Sequence, residues 1–272
     1  MTTVGTLQRH ARFPSTFVQS RNVDVWLPPG YWVEADRRFP VIYMHDGQNL
    51  FDPETAFGGV DWGIDEAIAR LAKAGATGGA IVVGIWNTEE GRWRDYMPQK
   101  ALRTRAAVAR FREQAGGEPL SDRYLCVLIQ EVKPFVDETY RTLPGRESTF
   151  VMGSSMGALA SLYAVCEYPG VFQGAGCLST HWPAGNGIVI DYLRRALPSP
   201  GSHRFYFDYG TQTLDAGYEP YQRQADAILL MAGYREGVDW VTCKFPGAEH
   251  SERSWRERVQ IPLLFLLEGQ IP

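Results

Sequence analysis

Seven short apolar runs, separated by stretches with helical periodicity, constrain the fold of this chain more than anything else in it. They are Val23–Leu27, Val41–Met44, Ala80–Ile85, Thr149–Met152, Gly174–Leu178, Arg204–Asp208 and Trp240–Phe245. Most are continuously apolar rather than alternating, which is the pattern of strands covered on both faces. Between them lie helical candidates: Trp62–Lys73, with apolar residues at Trp62, Ile64, Ala67, Ile68 and Leu71, then Leu125–Arg141, Met156–Tyr168, Tyr221–Gly233 and Ser254–Leu267. Strand then helix, repeated, predicts an α/β fold with a mostly parallel central sheet, right-handed crossovers and helices on both faces. The 272 residues suit a single domain spanning 1–272, and no repeat or low-complexity linker divides them. Two irregular segments are expected as excursions. One runs from about 87 to 122, with a short helix at Leu102–Gln114, and is placed to roof a site; the other covers 183–200.

Charge and composition narrow the partners. Net charge is −4 and no basic block occurs, so neither nucleic acid nor an anionic membrane surface is expected as a partner. Met1–Pro14 is polar, without an apolar stretch or small-residue cleavage site, so no signal peptide is expected. The longest apolar run, around Leu263–Leu267, is too short to span a membrane. Cys126, Cys166, Cys177 and Cys243 are widely spaced in apolar surroundings and read as reduced core thiols, which suggests the cytoplasm.

One pentapeptide carries chemistry. Gly153-Ser154-Ser155-Met156-Gly157 fits G-x-S-x-G, and it falls between an apolar strand and a helix. In that setting the central serine sits on a sharp, strained turn with its hydroxyl above the sheet, and the small flanking residues let strand and helix pass closely. Ser155 is therefore the candidate nucleophile, with the helix dipole aimed at it. Ser154 is out of register and reads as a packing residue.

A serine hydroxyl needs a base, and the base needs an orienting carboxylate. Five histidines are available, and His250 is the candidate base. It follows the last strand and the turn Pro246-Gly247-Ala248, where a strand's C-terminal end delivers a side chain to a site. His181 reads as a pocket-wall residue, and His203 precedes a strand at the wrong end of the sheet. The acid is expected after Arg204–Asp208. Asp215, in a loop able to reach His250, is the first choice and Asp208 the second. For a developing oxyanion, the backbone N–H groups of Met156 and Gln48 are the candidates, with Gly47 permitting close approach. His45 and Asp46 read as a buried hydrogen-bonded turn. Trp62, Trp86, Tyr96, Trp182 and Tyr218 are candidate substrate-binding aromatics, with core packing as the alternative for each. Arg92 and Arg94 are candidates to meet an anionic substrate.

Several blocks together make a resemblance. Leu27-Pro28-Pro29-Gly30-Tyr31, Tyr43-Met44-His45-Asp46-Gly47-Gln48-Asn49-Leu50-Phe51, Val83-Gly84-Ile85, Arg94-Asp95-Tyr96-Met97-Pro98, the Gly153–Gly157 pentapeptide, Asp208-Tyr209-Gly210-Thr211 and Gly247-Ala248-Glu249-His250 occur in order from Val23 to Leu267. The chain resembles the putative-esterase family of α/β hydrolases, which includes esterase D, ferric-enterobactin esterases, feruloyl esterases and antigen 85 mycolyltransferases. The resemblance implies an α/β-hydrolase fold and a Ser–acid–His triad with no metal and no cofactor. It supports Ser155, His250, Met156 and Gln48. Relatives often place the acid where Thr213 stands here, two residues before Asp215, and Ala158 stands where many have a second glycine. The expectation is a serine esterase acting on a small-molecule ester. An acyltransferase or a non-catalytic binding protein on the same scaffold is the alternative.

Overall fold

The computed structural model describes residues 4–270. Eight strands form one sheet in the order β1-β2-β4-β3-β5-β6-β7-β8. They are β1 (Thr6–Phe13), β2 (Arg21–Leu27), β3 (Val41–His45), β4 (Ile81–Ile85), β5 (Thr149–Ser154), β6 (Gly174–Leu178), β7 (Arg204–Gly210) and β8 (Trp240–Phe245). From β4 onward across the order the neighbours are parallel, while β1 and β2 run antiparallel at one edge.

The seven apolar runs are β2 to β8, each within two residues of its expected ends. The first strand escapes that reading because it is a polar edge strand. Its residues are half-buried or exposed, and Arg9 binds Asp24 of β2 through two hydrogen bonds of 2.8 and 2.9 Å. A polar, charged edge protects a sheet from pairing with other chains and leaves no apolar signature.

Alternation along the strands sends residues to two cores, as the period of two requires. Tyr43, Val83, Val151, Phe205 and Phe207 enter one core with Leu159, Leu162 and Leu229. Ile42, Met44, Val82, Met152 and Tyr206 enter the other with Ile68, Leu263 and Phe265. The covering helices are α1 (Ile64–Lys73), α2 (Arg92–Tyr96), α3 (Arg105–Ala115), α4 (Ser121–Cys126), α5 (Lys133–Thr139), α6 (Met156–Glu167), α7 (Ile188–Ala196), α8 (Glu219–Met231), α9 (Glu252–Arg258) and α10 (Gln260–Glu268).

Two expectations need correction. The helix expected over Leu125–Arg141 is α4 and α5 joined by a π-wound turn, Val127–Val132. The helix expected over Ser254–Leu267 is broken at Val259, where Pro262 supplies no N–H for the preceding turn. The short helix expected at Leu102–Gln114 in the first excursion is α3, which is joined there by α2, and the second excursion carries α7. Within the first, Asp95 and Tyr96 are buried, and Asp95 takes a 2.9 Å ion pair from Arg21.

Among the described residues no helix is long and apolar enough to cross a membrane. All four cysteines are free.

Candidate active site

The parallel register aligns the strand ends that carry the site. Met44 pairs with Met152, Ser154 with Leu178, and Leu178 with Asp208. The loops leaving β3, β5, β6, β7 and β8 therefore open on the same edge, where ligands bind in open α/β sheets.

Ser155 occupies the turn between β5 and α6 with φ 55° and ψ −119°, a strained conformation for a residue with a side chain. Its backbone is held at both ends. The N–H donates to Leu178 O at 2.9 Å, and the carbonyl accepts from His181 N at 3.2 Å. Gly153 is required by packing, because a Cβ there would lie 2.9 Å from the Gly157 carbonyl carbon and 3.1 Å from the His45 ring. Ser154 is buried.

His250 is delivered by two clamped loops. The N–H groups of Thr211 and Gln212 both donate to Ala248 O at 3.0 Å, and His250 N donates to Thr213 Oγ1 at 2.8 Å. Its Nδ1 lies 2.6 Å from Asp215 Oδ1. Asp215 is 1% exposed, and its other oxygen accepts from Ser179 Oγ and from Gly210 N, each at 2.6 Å. Burial alone would raise the Asp215 pKa, but the bonds from His250, Ser179 and Gly210 outweigh it and hold the carboxyl below the usual range. Of the two aspartates named from the sequence, Asp215 reaches His250. Asp208 is committed elsewhere, accepting from Arg258 Nε at 3.0 Å and Nη2 at 2.9 Å. With Nδ1–H donating to Asp215, the Nε2 lone pair of His250 is free to take a proton. Ser155 and His250 line one cavity of about 540 Å³. Their side chains are not hydrogen-bonded to each other among the described residues, and such bonds commonly tighten only when substrate binds.

Opposite Ser155 stands the turn after β3. Asp46 adopts a left-handed conformation (φ 58°, ψ 46°), and a short 3₁₀ turn covers Gly47–Asn49. Gly47 packs directly on β4, where a Cβ would lie 2.5 Å from the Gly84 carbonyl carbon. Gln48 lines the cavity with Ser155. Its side chain is occupied, Oε1 accepting from Asn87 N at 3.2 Å. Met156 is the first residue of α6, so its N–H is one of the helix's unpaired donors. Beneath this turn, Asp46 takes two 2.8 Å bonds from Arg92 and one of 2.6 Å from Asn87. His45 is buried with Nδ1 2.7 Å from Tyr124 Oη. Burial drives its pKa down to about 4, so the ring is neutral.

The aromatic pocket expected from the sequence is not where the cavity lies. None of Trp62, Trp86, Tyr96, Trp182 and Tyr218 lines it. Trp62 packs on Trp255 with ring centres 5.4 Å apart. Trp86 donates to Asp24 at 2.8 Å. Tyr96 Oη accepts from Asp46 N at 3.1 Å. Trp182 donates to Gln222 at 2.8 Å beneath the surface. Tyr218 touches the site from behind, its ring edge against His250 at 5.7 Å and its hydroxyl 2.5 Å from His181 Nδ1. Large rings carry most of the apolar area available to a core and are drawn there. The cavity wall instead comes from the loops after β3 and β4 and from the helices α2 and α9, with Asn49, Thr55, Phe57, Asn87, Glu89, Arg92, Glu252 and Trp255. Of these only Arg92 was singled out in the sequence. Its guanidinium is ion-paired with Asp46 through Nε and Nη2, so its charge is already met within the wall. Arg94 turns away to Glu118 O at 2.9 Å. A second cavity of about 630 Å³, lined by Trp93, Arg110 and His181 among others, shares Glu89 with the first. His181 is thus a cavity-wall residue, as expected, and burial together with the nearby His250 and Arg92 charges lowers its pKa to about 4.

Sequence reasoning missed Ser179, which links the parts. Besides donating to Asp215, its hydroxyl accepts from Trp255 Nε1 at 2.9 Å and Arg258 Nη2 at 3.0 Å. A lone serine after a strand carries no signal for this role.

The fold and this strand-edge site define an α/β hydrolase, of the carboxylic ester hydrolase class. The chain belongs to the Putative esterase family, whose pattern it matches over residues 15–264. It is similar to the uncharacterized protein YbbA of Bacillus subtilis (strain 168), 24% identical over 196 residues that cover 71% of this chain and 69% of YbbA. Among solved structures it is similar to a ferulic acid esterase, with TM-score 0.72 and 15% identity over 97% of this chain and 98% of the other. It is also similar to the enterobactin esterase FES from Shigella flexneri, with TM-score 0.70 and 17% identity over 97% of this chain and 59% of that one.

Proposed function

We propose that the protein hydrolyses a small-molecule carboxylic ester through an acyl-enzyme on Ser155. The observation that carries the reading is the 2.6 Å bond from His250 Nδ1 to the buried Asp215, on a histidine that lines the same cavity as a strained serine at a strand-to-helix turn. His250 Nε2 takes the Ser155 proton as Oγ attacks the ester carbonyl. The N–H groups of Gln48 and Met156 receive the oxyanion. His250 then returns the proton to the departing alkoxide, which leaves as the alcohol. Water, deprotonated by His250, attacks the acyl-enzyme, and the carboxylic acid departs as Ser155 regains its proton. Asp215 fixes the imidazole and stabilises its charged form. The four free thiols fit a reducing compartment, and we place the protein in the cytoplasm.

The test is labelling with a fluorophosphonate probe alongside turnover of p-nitrophenyl esters. The wild type should label and turn over. Ser155→Ala should do neither, with activity lower by at least about 10⁴-fold. Retained hydrolysis in Ser155→Ala ends this reading.

A further inference from the structure

We propose that the Ser155 cavity holds a subsite for a cationic group of the substrate, formed by the Glu252 carboxylate and the Phe57 ring. This deepens the esterase reading and rests on it only in taking the ligand to be an ester.

Three carboxylates and one guanidinium line the cavity: Asp46, Glu89, Glu252 and Arg92. Asp46 is ion-paired with Arg92 through the Nε–Nη2 edge of the guanidinium. Glu252 has one side-chain hydrogen bond among the described residues, from Asn49 Nδ2 at 3.5 Å, the outer limit of such a bond. A carboxylate offers about four acceptor positions, so most of this one's capacity is unused and the cavity is where it can be used. Burial and the Asp46 charge push the Glu252 pKa upward, as expected where no cation compensates it fully.

Phe57 is 76% exposed at the same cavity. Its position is held, because its N–H donates to Asn49 Oδ1 at 2.9 Å. The Asn49 side chain thus fixes the Phe57 backbone with its oxygen and meets Glu252 with its nitrogen. A carboxylate beside an open aromatic face is the chemistry that recognises an ammonium ion. An anionic group entering here would face Glu252 and Glu89, with the Arg92 charge already paired to Asp46. Glu252 also opens α9, where a carboxylate favours the helix dipole. That role alone predicts no sensitivity to substrate charge.

Matched ester pairs read this directly. Choline butyrate is compared with its carbon isostere 3,3-dimethylbutyl butyrate. The p-nitrophenyl ester of 4-(trimethylammonio)butyrate is compared with that of 5,5-dimethylhexanoate. In at least one pair, kcat/KM should favour the cation by roughly 10-fold, mainly through KM. Glu252→Gln should bring the ratio near one, and Phe57→Ala should lower it part way. Ratios of one or less in both pairs, or a preference that survives Glu252→Gln, overturn the proposal. Calorimetry with tetramethylammonium on Ser155→Ala separates the two readings. If Ser155→Ala and wild type both bind the ion in a Glu252-dependent way but no ester is cleaved, the subsite stands and the nucleophile assignment falls. If esters are cleaved through Ser155 without charge preference, and the ion does not bind, the reverse holds.

Discussion

Asp208 and Asp215 leave the same strand region, both are almost wholly buried, and both touch Ser179, yet they do opposite things. Asp208 faces Arg258, whose charge is permanent, across bonds of 2.9 and 3.0 Å. Asp215 faces His250, whose ring nitrogens can both donate and accept. The first pair is a fixed strut beneath the sheet edge. The second is a proton-handling unit at its rim. What separates them is the titratability of the partner rather than burial or position, so the two aspartates should fail differently when neutralised.

The sharpest way to break that contrast is Asp215→Asn against Asp208→Asn. The asparagine at 215 presents the wrong hydrogen-bonding edge to His250 and no charge to stabilise imidazolium. We expect kcat to fall by roughly 10⁴-fold with a loss of only about 1–3 kcal/mol in chemical denaturation. Asp208→Asn leaves Arg258 buried without its counter-charge. We expect a loss of about 3–5 kcal/mol in chemical denaturation, with kcat of the folded protein reduced by less than roughly 10-fold. If Asp208→Asn proves the catalytic lesion and Asp215→Asn the structural one, the assignment is inverted.

The contrast extends to two histidines. His250 has a carboxylate to support its charge, whereas His45 is buried with Nε2 lacking any partner among the described residues. Its pKa of about 4 in the fold lies below the unfolded value of about 6.5. Between those values the unfolded chain binds the extra proton, so stability is full above pH 6.5 and declines as pH falls toward 4. The His45 contribution to that decline is up to roughly 3 kcal/mol. His45→Gln, which keeps a neutral polar side chain beside Tyr124, should flatten the decline in urea midpoint between pH 7 and pH 4.5. Equal slopes in variant and wild type would remove His45 as the source.

Much of this was legible in the chain, for reasons that also explain what was not. Strands β2 to β7 announce themselves because both faces are mostly buried, so each reads as a largely apolar run, and the partly exposed edge strand β8 shows through Trp240, Val241 and Phe245. Ser155 and His250 are legible because their positions depend on local backbone: a small-residue turn in one case, a strand's end in the other. Asp215 and Asp208 stayed an open choice because the choice turns on Arg258, fifty residues beyond Asp208 and brought back only by α9. The cavity wall misled for a different reason. Trp62, Tyr96 and Trp182 look like ligand-binding residues by type, but their area is needed in the cores. Glu252, Phe57 and Asn49 are unremarkable by type and become a wall only when the loops after β3 and β8 meet.

Ser179 is where the two aspartate systems are joined, and its removal is the smallest and most discriminating change. Its hydroxyl donates to Asp215 and accepts from Trp255 and Arg258. Ser179→Ala deletes one of the three bonds that hold the Asp215 carboxyl ionised and strips two buried donors of an acceptor. The cost should be about 1–3 kcal/mol in denaturation, with kcat lower by less than roughly 10-fold because His250 keeps its own bond to Asp215. The same change alters how the Asp215 carboxyl responds to acid. Its pKa lies below the unfolded value in the wild type, so its stabilisation is lost only as pH falls further, and in Ser179→Ala that loss should begin at higher pH. A kcat loss as deep as that of Asp215→Asn would instead make the serine part of the proton-handling unit. Unchanged stability would mean that strut and rim are independent, and the two aspartates could then be treated as separate systems.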